Sequence, residues 1–356
     1  MPALILSSPS EQVAAHLRGE LGRGIWRGMM PGVPRLAAEL GVDRKTVEAA
    51  LRLLEREDLL TPQGSGRRRR IAVDAGKIAR PLRVAILDLE PPAVSLAEGY
   101  AAEMLHLLGE AGHSVFFADK CLQELHMEVE QVARLVRKTE ADAWVVGAGS
   151  REVLEWFAAQ PVPAFALFGR RRGLPIAGVG PDVVSVSGAI ARRLIELGHR
   201  RIVMLARRMR RLPVPGAAEL AVLNELAAHG IETGEYNLPD WDETNEGFHA
   251  CLKELFRFTP PTAIIFDEVP FLVAALMFLG ERGLRVPADI SLVCGDPDQA
   301  FAFCQPRIAH IHWDTRPVVR RIVRWAANVS HGKDDRKQTL TRAKFVEGGT
   351  IGPAKG

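Results

Sequence analysis

Cysteine is scarce in this chain. Cys121, Cys251, Cys294 and Cys304 are the whole supply in 356 residues, and no two stand in a CxxC pair. They fit reduced thiols in a cytoplasmic protein better than a disulfide frame. Long apolar runs are missing too. None reaches the ~18 residues of a membrane helix, and Met1 to Leu6 is too short, and lacks the basic start, for a secretory signal. No nucleophile elbow, Ser/His/Asp order or acid pair stands out, so nothing points to catalysis. What remains is ordinary for a globular chain: 47% hydrophobic and 25% charged residues. The length suggests two or more structural units.

A net positive charge is also missing from most of the chain. Residues 1–80 carry 14 Lys/Arg against 9 Asp/Glu, while the remainder carries 32 against 34. The net charge of +3 is therefore concentrated at one end, and nucleic acid is the natural partner of that segment alone.

The basic segment has a recognisable order. Leu36 to Leu40 reads as a short helix with Pro34 tolerable in its first turn, and Gly41 makes a turn. Asp43 is then the N-cap of a second helix whose Val47, Ala50, Leu51 and Leu54 make one apolar face. Arg44, Lys45 and Thr46 occupy its first turn, where cations oppose the helix dipole unless a phosphate backbone lies nearby. Leu59 to Val73 then reads as a hairpin with a Pro/Gly/Ser turn and a basic tip, Arg67 to Arg70. Singly, these could be a helical hairpin and a solvated Arg run. In this order they form a helix-turn-helix with a wing, which binds duplex DNA.

Residues 10–73 resemble the winged-helix domain of GntR-type bacterial transcription regulators. Ser10 to Leu17 is similar to that family's first helix, Pro31 to Ala37 stands at its Leu-Pro-Ser-x-Arg-x-Leu-Ala signature, and Val42 to Leu51 at its Val-Ser-Arg-x-Thr-Val-x-x-Ala-Leu. Gly32, Pro34 and Asp43 depart from the usual Ser, Arg and Ser. The resemblance implies that Pro34 removes one arginine that would reach DNA, and the adjacent Arg35 is a candidate replacement.

After a polar linker, Asp74 to Pro81, the pattern becomes strand-helix alternation. Strand-like runs are Arg83–Leu89, Ser114–Ala118, Ala143–Gly147, Ala164–Phe168, Arg201–Ala206, Thr262–Asp267 and Ile290–Cys294. Helical stretches between them include Leu96–Ala111, Leu122–Lys138, Ser150–Ala159, Val184–Leu197, Ala217–His229, Phe271–Arg282 and Pro317–Ser330. Such alternation argues parallel sheets covered on both faces, with ligands beyond the carboxyl ends of the strands. Its length suggests two lobes.

Residues 82–351 are similar to the effector domain of LacI-type repressors, a periplasmic-binding-protein-like pair of lobes. The resemblance rests on Leu194 to Ile202 (Leu-x-x-x-Gly-His-x-x-Ile), Pro261 to Phe266 and Gly283 to Val293. A GntR-type head on such a body resembles the arabinose-repressor arrangement. The fold expected is α/β: a winged helix-turn-helix domain over residues 1–73, a linker over 74–81, and a two-lobe body with parallel sheets over 82–356. Family ligand positions are changed. Glu268 and Val269 stand for Asn-Asp, Asp182-Val183 for Asp-Asn, Ala218 near the gripping Arg, and Gly348 or Gly349 for a terminal Arg; Asp296 is retained. Those positions hold sugar hydroxyls in the family, so a plain sugar in the usual pose is not expected.

The effector candidates are Asp88, Arg207, Trp241, Glu268 and Asp296. Arg207 to Arg211 is a solvated basic loop or an anion site, and Trp241 a stacking platform or a packing residue. Gly147-Ala148-Gly149-Ser150 is a strand-to-helix turn rather than a cofactor fingerprint, and His310-x-His312 a half-buried strand rather than a metal pair. No cofactor, metal or membrane partner is expected. His199 is expected to stabilise a turn, as the family implies. The reading is a cytoplasmic, homodimeric transcription regulator, a repressor by resemblance, controlled by a small molecule such as a carbohydrate derivative held between two lobes. The alternative is a cytoplasmic solute-binding protein or sugar-acting enzyme with a docking head.

Overall fold

The computed structural model describes residues 8–22, 25–26, 28–64, 67–72, 80–97 and 99–355. The N-terminal segment builds α1 (Pro9–Gly22), α2 (Val33–Leu40), α3 (Arg44–Arg56), β1 (Leu60–Thr61) and β2 (Arg70–Ile71). Gly41 ends α2 in the left-handed region at φ 65°, which an L side chain rarely adopts, and its N–H donates to Ala37. The Asp43 side chain accepts from the Thr46 N–H at 2.9 Å and caps α3. Val47, Ala50, Leu51 and Leu54 are each at most 1% exposed, packed on Ala14, Leu17, Leu21 and Leu36. Fully burying one such Leu stabilises by roughly 1.5–3 kcal/mol, and the apolar faces of α1 and α3 supply most of this small core. β1 and β2 pair antiparallel, Leu60 opposite Ile71, and Met29 bridges to Arg70 at the sheet's other side.

The body alternates as its pattern implies. β3 (Arg83–Leu87), α4 (Pro92–Ala97), α5 (Tyr100–Glu110), β4 (Ser114–Phe117), α6 (Val129–Lys138), β5 (Ala143–Gly147), α7 (Arg151–Ala158), β6 (Ala164–Leu167) and β7 (Ala177–Pro181) come first. Then follow α8 (Val183–Glu196), β8 (Ile202–Leu205), α9 (Arg208–Arg211), α10 (Ala217–Ala228), α11 (Asn245–Phe258), β9 (Ala263–Phe266), α12 (Val269–Glu281), β10 (Ser291–Cys294), β11 (Ala309–Trp313), α13 (Thr315–Ser330), β12 (Gln338–Thr341) and β13 (Ala343–Val346). One sheet runs β12-β7-β6-β5-β3-β4, the other β13-β11-β10-β9-β8. The pairs from β8 through β11 are parallel; only β13 joins the second sheet antiparallel, on β11.

The chain divides into two compact units, Met1–Gly178 with Val319–Gln338, and Val179–Val318 with Thr339–Gly356. It therefore passes from one to the other three times. In the second unit the strands are buried on both faces. Ile264 and Phe266 enter one apolar layer with Phe248, Leu252 and Leu272, while Ala263 and Ile265 enter another with Ile190, Leu194 and Leu226. This is why β9 reads as a continuous apolar run and not as an alternation.

Two expected helices are shorter than their patterns. Leu96–Ala111 breaks at Gly99, which has φ 70° and precedes α5. Leu122–Lys138 becomes helical only at Val129, because His126 and Met127 take positive φ values. Of the expected linker, 74–79 lie outside the described residues; Arg80 donates its N–H to the Ser330 carbonyl at 2.9 Å.

Candidate nucleic-acid interface and effector site

The exposed first turn of α3 carries Arg44 and Lys45, with Thr46 partly covered. Asp43 accepts from both the N–H and the hydroxyl of Thr46, and these bonds hold its carboxyl below the usual carboxylate range. The cap therefore stays charged beside two cations and fixes where their backbone starts. Arg67, Arg68 and Arg70 are exposed on the hairpin, whose residues 65–66 lie outside the described set. None of Arg44, Lys45, Arg67, Arg68 or Arg70 forms an ion pair among the described residues. Arg69 departs from the wing-tip expectation. Its Nε lies 2.5 Å from Glu55 on α3, both side chains being 20% exposed, so it ties the hairpin to the helix and does not point outward. Arg35 is exposed but pairs with Glu39 one turn on, at 2.7 Å.

In the first unit, Asp88 follows β3 and is 8% exposed. Burial pushes its carboxyl up, while the Leu89 N–H and the Ser95 side chain pull it back. A Cβ at position 147 would lie 2.0 Å from Asp88 Oδ1, so Gly147 leaves room for that carboxylate. The Ser150 hydroxyl accepts from the Val153 N–H at 3.3 Å and caps α7. A carboxylate beneath the turn would repel a phosphate, so the Gly147–Ser150 segment is a strand-to-helix connection, as expected.

In the second unit the register lines up the strand ends. Leu205, Phe266 and Cys294 are neighbours across β8, β9 and β10. The next residues, Ala206-Arg207, Asp267-Glu268 and Gly295-Asp296, therefore emerge at one level. A Cβ at Gly295 would come within 2.9 Å of the Asp267 carbonyl, so only glycine lets these segments approach this closely.

The basic run then distributes itself by helical phase along α9. Arg207 Nε donates to both Glu268 oxygens at 2.8 Å, its backbone N–H donates to Asp267 Oδ2 at 2.7 Å, and its guanidinium lies 5.4 Å from the Phe271 ring. Arg208 donates its backbone N–H to Glu243. Arg211, 3% exposed, pairs with Asp240 at 2.7 Å, donates to the Ala206 carbonyl and lies 5.0 Å from the Trp241 ring. Arg210, which the sequence does not single out, has its Nε 3.7 Å from Asp267 and a guanidinium nitrogen 4.0 Å from Glu219. Desolvation alone would ease its proton off, but the carboxylates of Asp267, Asp296, Glu219 and Glu268 outweigh that and hold the guanidinium firmly charged.

Asp267 is the other residue that sequence reasoning passes over. It is 1% exposed, and its Oδ1 accepts no hydrogen bond. Burial is the main cause that pushes its carboxyl up to about 7; Arg210 opposes the rise and Glu268 adds to it. Burial likewise pushes Asp296 up to about 6, again with Arg210 opposing. Trp241 packs against Phe248 and Phe271 at 5.3 and 5.1 Å and is 7% exposed, so the stacking-platform alternative gives way to packing. His310 and His312 lie on β11, and no metal-holding group of three donors occurs among the described residues. His199 is buried, with Nε2 2.9 Å from the Gly352 carbonyl beside the turn at Gly198. Among the described residues no helix is long and apolar enough to cross a membrane.

These features meet their counterparts in known proteins. Residues 9–68 match the model of bacterial regulatory proteins, gntR family, and residues 191–351 that of a periplasmic binding protein-like domain. The HTH-type transcriptional regulator CelR of Thermobifida fusca is 30% identical over 161 residues, covering 44% of this chain and 47% of that one. The chain thus spans about half the length of that relative. A solved CelR–cellobiose complex matches with a TM-score of 0.62 at 19% identity, over 90% of this chain and 100% of the other. The lac repressor dimer bound to operator and an anti-inducer matches with a TM-score of 0.62 at 20% identity, over 77% and 95%. At such identities the structural likeness shows the fold, while the family models show the parts. The N-terminal segment is thus similar to gntR-family regulatory proteins, and the body is similar to periplasmic binding protein-like domains and has the fold of the lac repressor.

Proposed function

We propose that the protein is a cytoplasmic DNA-binding transcription regulator, a repressor, whose body takes a small polar effector. The observation that carries this is the capped first turn of α3, where Arg44 and Lys45 stand exposed without carboxylate partners among the described residues, next to a hairpin bearing Arg67, Arg68 and Arg70. Phosphate and base edges supply the acceptors that the chain itself withholds. We place the working boundaries at 1–73 for the head, 74–81 for the linker and 82–356 for the body. Arg35 is the further candidate for a backbone contact.

Effector control is proposed at the carboxyl ends of β8, β9 and β10, where Arg207, Arg210, Asp267, Glu268 and Asp296 gather. A CelR relative is seen with cellobiose, which supports a carbohydrate derivative as the ligand class. An effector shifts DNA affinity only by binding one body arrangement more tightly than another. The protein acts as a homodimer, because one head reaches only a half-site; the lac repressor neighbour is a dimer on its operator. The relatives are regulators, and no enzyme reading is favoured. Retention of genomic fragments by the full chain, against random duplex of equal length, tests the reading. Equal retention of both at physiological salt, or of neither, would sink it.

A further inference from the structure

The carboxylates at the end of the second unit's sheet outnumber the cations that face them. Asp267 and Glu268 follow β9, Asp296 follows β10 and Glu219 lies on α10; against them stand Arg207 and Arg210. Arg207 is fully occupied, forked onto Glu268 and covered on one side by the Phe271 ring. Three carboxylates remain for Arg210, whose approaches to Asp267 and Glu219 are long, at 3.7 and 4.0 Å.

Glu219 adds an independent observation. It is 3% exposed, its Oε1 accepts no hydrogen bond among the described residues, and Arg210 lies 4.0 Å from it. Asp267 Oδ1 is sealed in the same way. Buried carboxylate oxygens without donors are unfavourable until a donor arrives. An anionic effector would worsen the imbalance, since the arginines that could hold it are already engaged. A neutral polyol would bring donors but leave the excess charge. A primary ammonium brings three N–H donors and the missing charge in a compact group.

Resting on the effector-site reading above, we propose that this site takes a small hydroxyl-bearing ligand with a primary ammonium group, the cation seated among Asp267, Asp296 and Glu219. The charge balance of the site agrees. Burial leaves Asp267 and Asp296 titrating at about 7 and about 6, so both are largely or partly protonated at pH 6 and both ionised at pH 8, where the excess of carboxylates is full. The other groups facing them are Arg207 and Arg210 on the α9 segment, Glu219 on α10, Glu268 beside β9, and the Cys294 thiol, which burial pushes to about 12 and keeps neutral. Ammonium binding therefore releases protons and tightens from pH 6 to pH 8.

The test is thermal unfolding of the full-length protein in ethanolamine hydrochloride, with sodium chloride at equal ionic strength, ethylene glycol as the neutral counterpart, and inorganic phosphate as the anion. The expected result is a midpoint raised by ethanolamine above the other three, more at pH 8 than at pH 6. In Glu219→Gln and in Asp296→Asn the ethanolamine concentration giving half the effect rises about tenfold, as expected when one charge-assisted bond is removed. A midpoint no higher than in sodium chloride overturns the proposal, as does greater stabilisation by ethylene glycol or phosphate, or an unchanged response in both variants. Retention of genomic DNA by the same preparation separates the two readings. Retention without an ethanolamine effect removes only the ligand class; absence of any selective retention removes the regulator.

Discussion

Arg210 Nε stands 3.7 Å from the Asp267 carboxylate, and that pairing joins the short helix α9 to the buried end of β9. Without Arg210, Asp267, Asp296 and Glu219 would be deprived of the cation that faces all three. Arg210→Ala is expected to destabilise the protein by about 1–3 kcal/mol, less than a fully buried pair because the arginine side chain keeps 39% exposure. Chemical denaturation at pH 7.5 measures this. The same change at the neighbouring exposed Arg208 should cost less than about 0.5 kcal/mol, and equal destabilisation in the two would remove the special role of Arg210.

The two halves of this arrangement are legible in the sequence to different degrees. Apolar runs place β8, β9 and β10 to within a residue or two, because a parallel sheet buried on both faces shows in composition alone. Arg210 is hidden by its own neighbours. In Arg207-Arg208-Met209-Arg210-Arg211 four of the five positions are the same basic residue, and only the one-turn helix α9 decides which guanidinium meets which acid. Asp267 closes a strand-like run and so reads as a boundary; the glycine at position 295 that brings Asp296 beside it has no pattern of its own. In the head, by contrast, the cap, the glycine turn and the apolar face are all local, and Asp43, Gly41 and Leu51 stand where the spacing puts them. Arg69 escapes a local reading because its partner Glu55 lies on another element, 14 residues away.

The raised carboxyls give a pH signature. Asp267 titrates near 7 in the fold against an ordinary 3.8, so the native state keeps a proton that the unfolded chain has already released. Its stabilising contribution is full below about pH 4 and is lost as pH rises toward 7 and beyond, with a slope of at most about 1.4 kcal/mol per pH unit. Asp267→Asn cannot titrate. Relative to the parent, the variant should gain stability from pH 5 to about pH 7 and level off by pH 8. A constant difference across that range would show that Asp267 carries no buried proton.

On the proposed DNA-binding reading, the head separates base reading from phosphate holding. Arg44→Ala should cost roughly 1–3 kcal/mol on the operator and relax base preference. Arg68→Ala should weaken every sequence alike and lower the salt slope by about one unit. Arg69→Ala should act through stability, because it unties the hairpin from Glu55. Fluorescence anisotropy across a salt series, with a denaturation curve for each variant, distinguishes the three. A reduced salt slope in Arg69→Ala at unchanged stability would return that residue to the DNA.

The proposed homodimer makes demands on one helix. From Val269 to Gly280, α12 carries no charged residue, yet Val273 and Met277 are 51% and 67% exposed. They lie one turn apart and so share a face. Its other apolar face is already used: Leu272, Ala275, Phe278 and Leu279 are buried in the second unit's own core. An uncharged outward face on a helix that no part of its own unit needs is what a self-complementary contact requires. On α4 of the first unit, Val94 and Leu96 are exposed as well, at 48% and 39%. A charge at the centre of such a contact would meet its own copy across the two-fold axis, where repulsion and desolvation act together. Met277→Glu is therefore expected to leave the fold intact, because the side chain already meets solvent within the protomer, and to convert the dimer to monomer at micromolar concentration. It should also weaken retention of a palindromic operator far more than binding to a single half-site, since only the pairing of the heads is removed. Sedimentation velocity and anisotropy on full and half operators report the two effects. A Met277→Glu dimer as tight as the parent would place the contact elsewhere and leave the exposed face of α12 without a role in assembly.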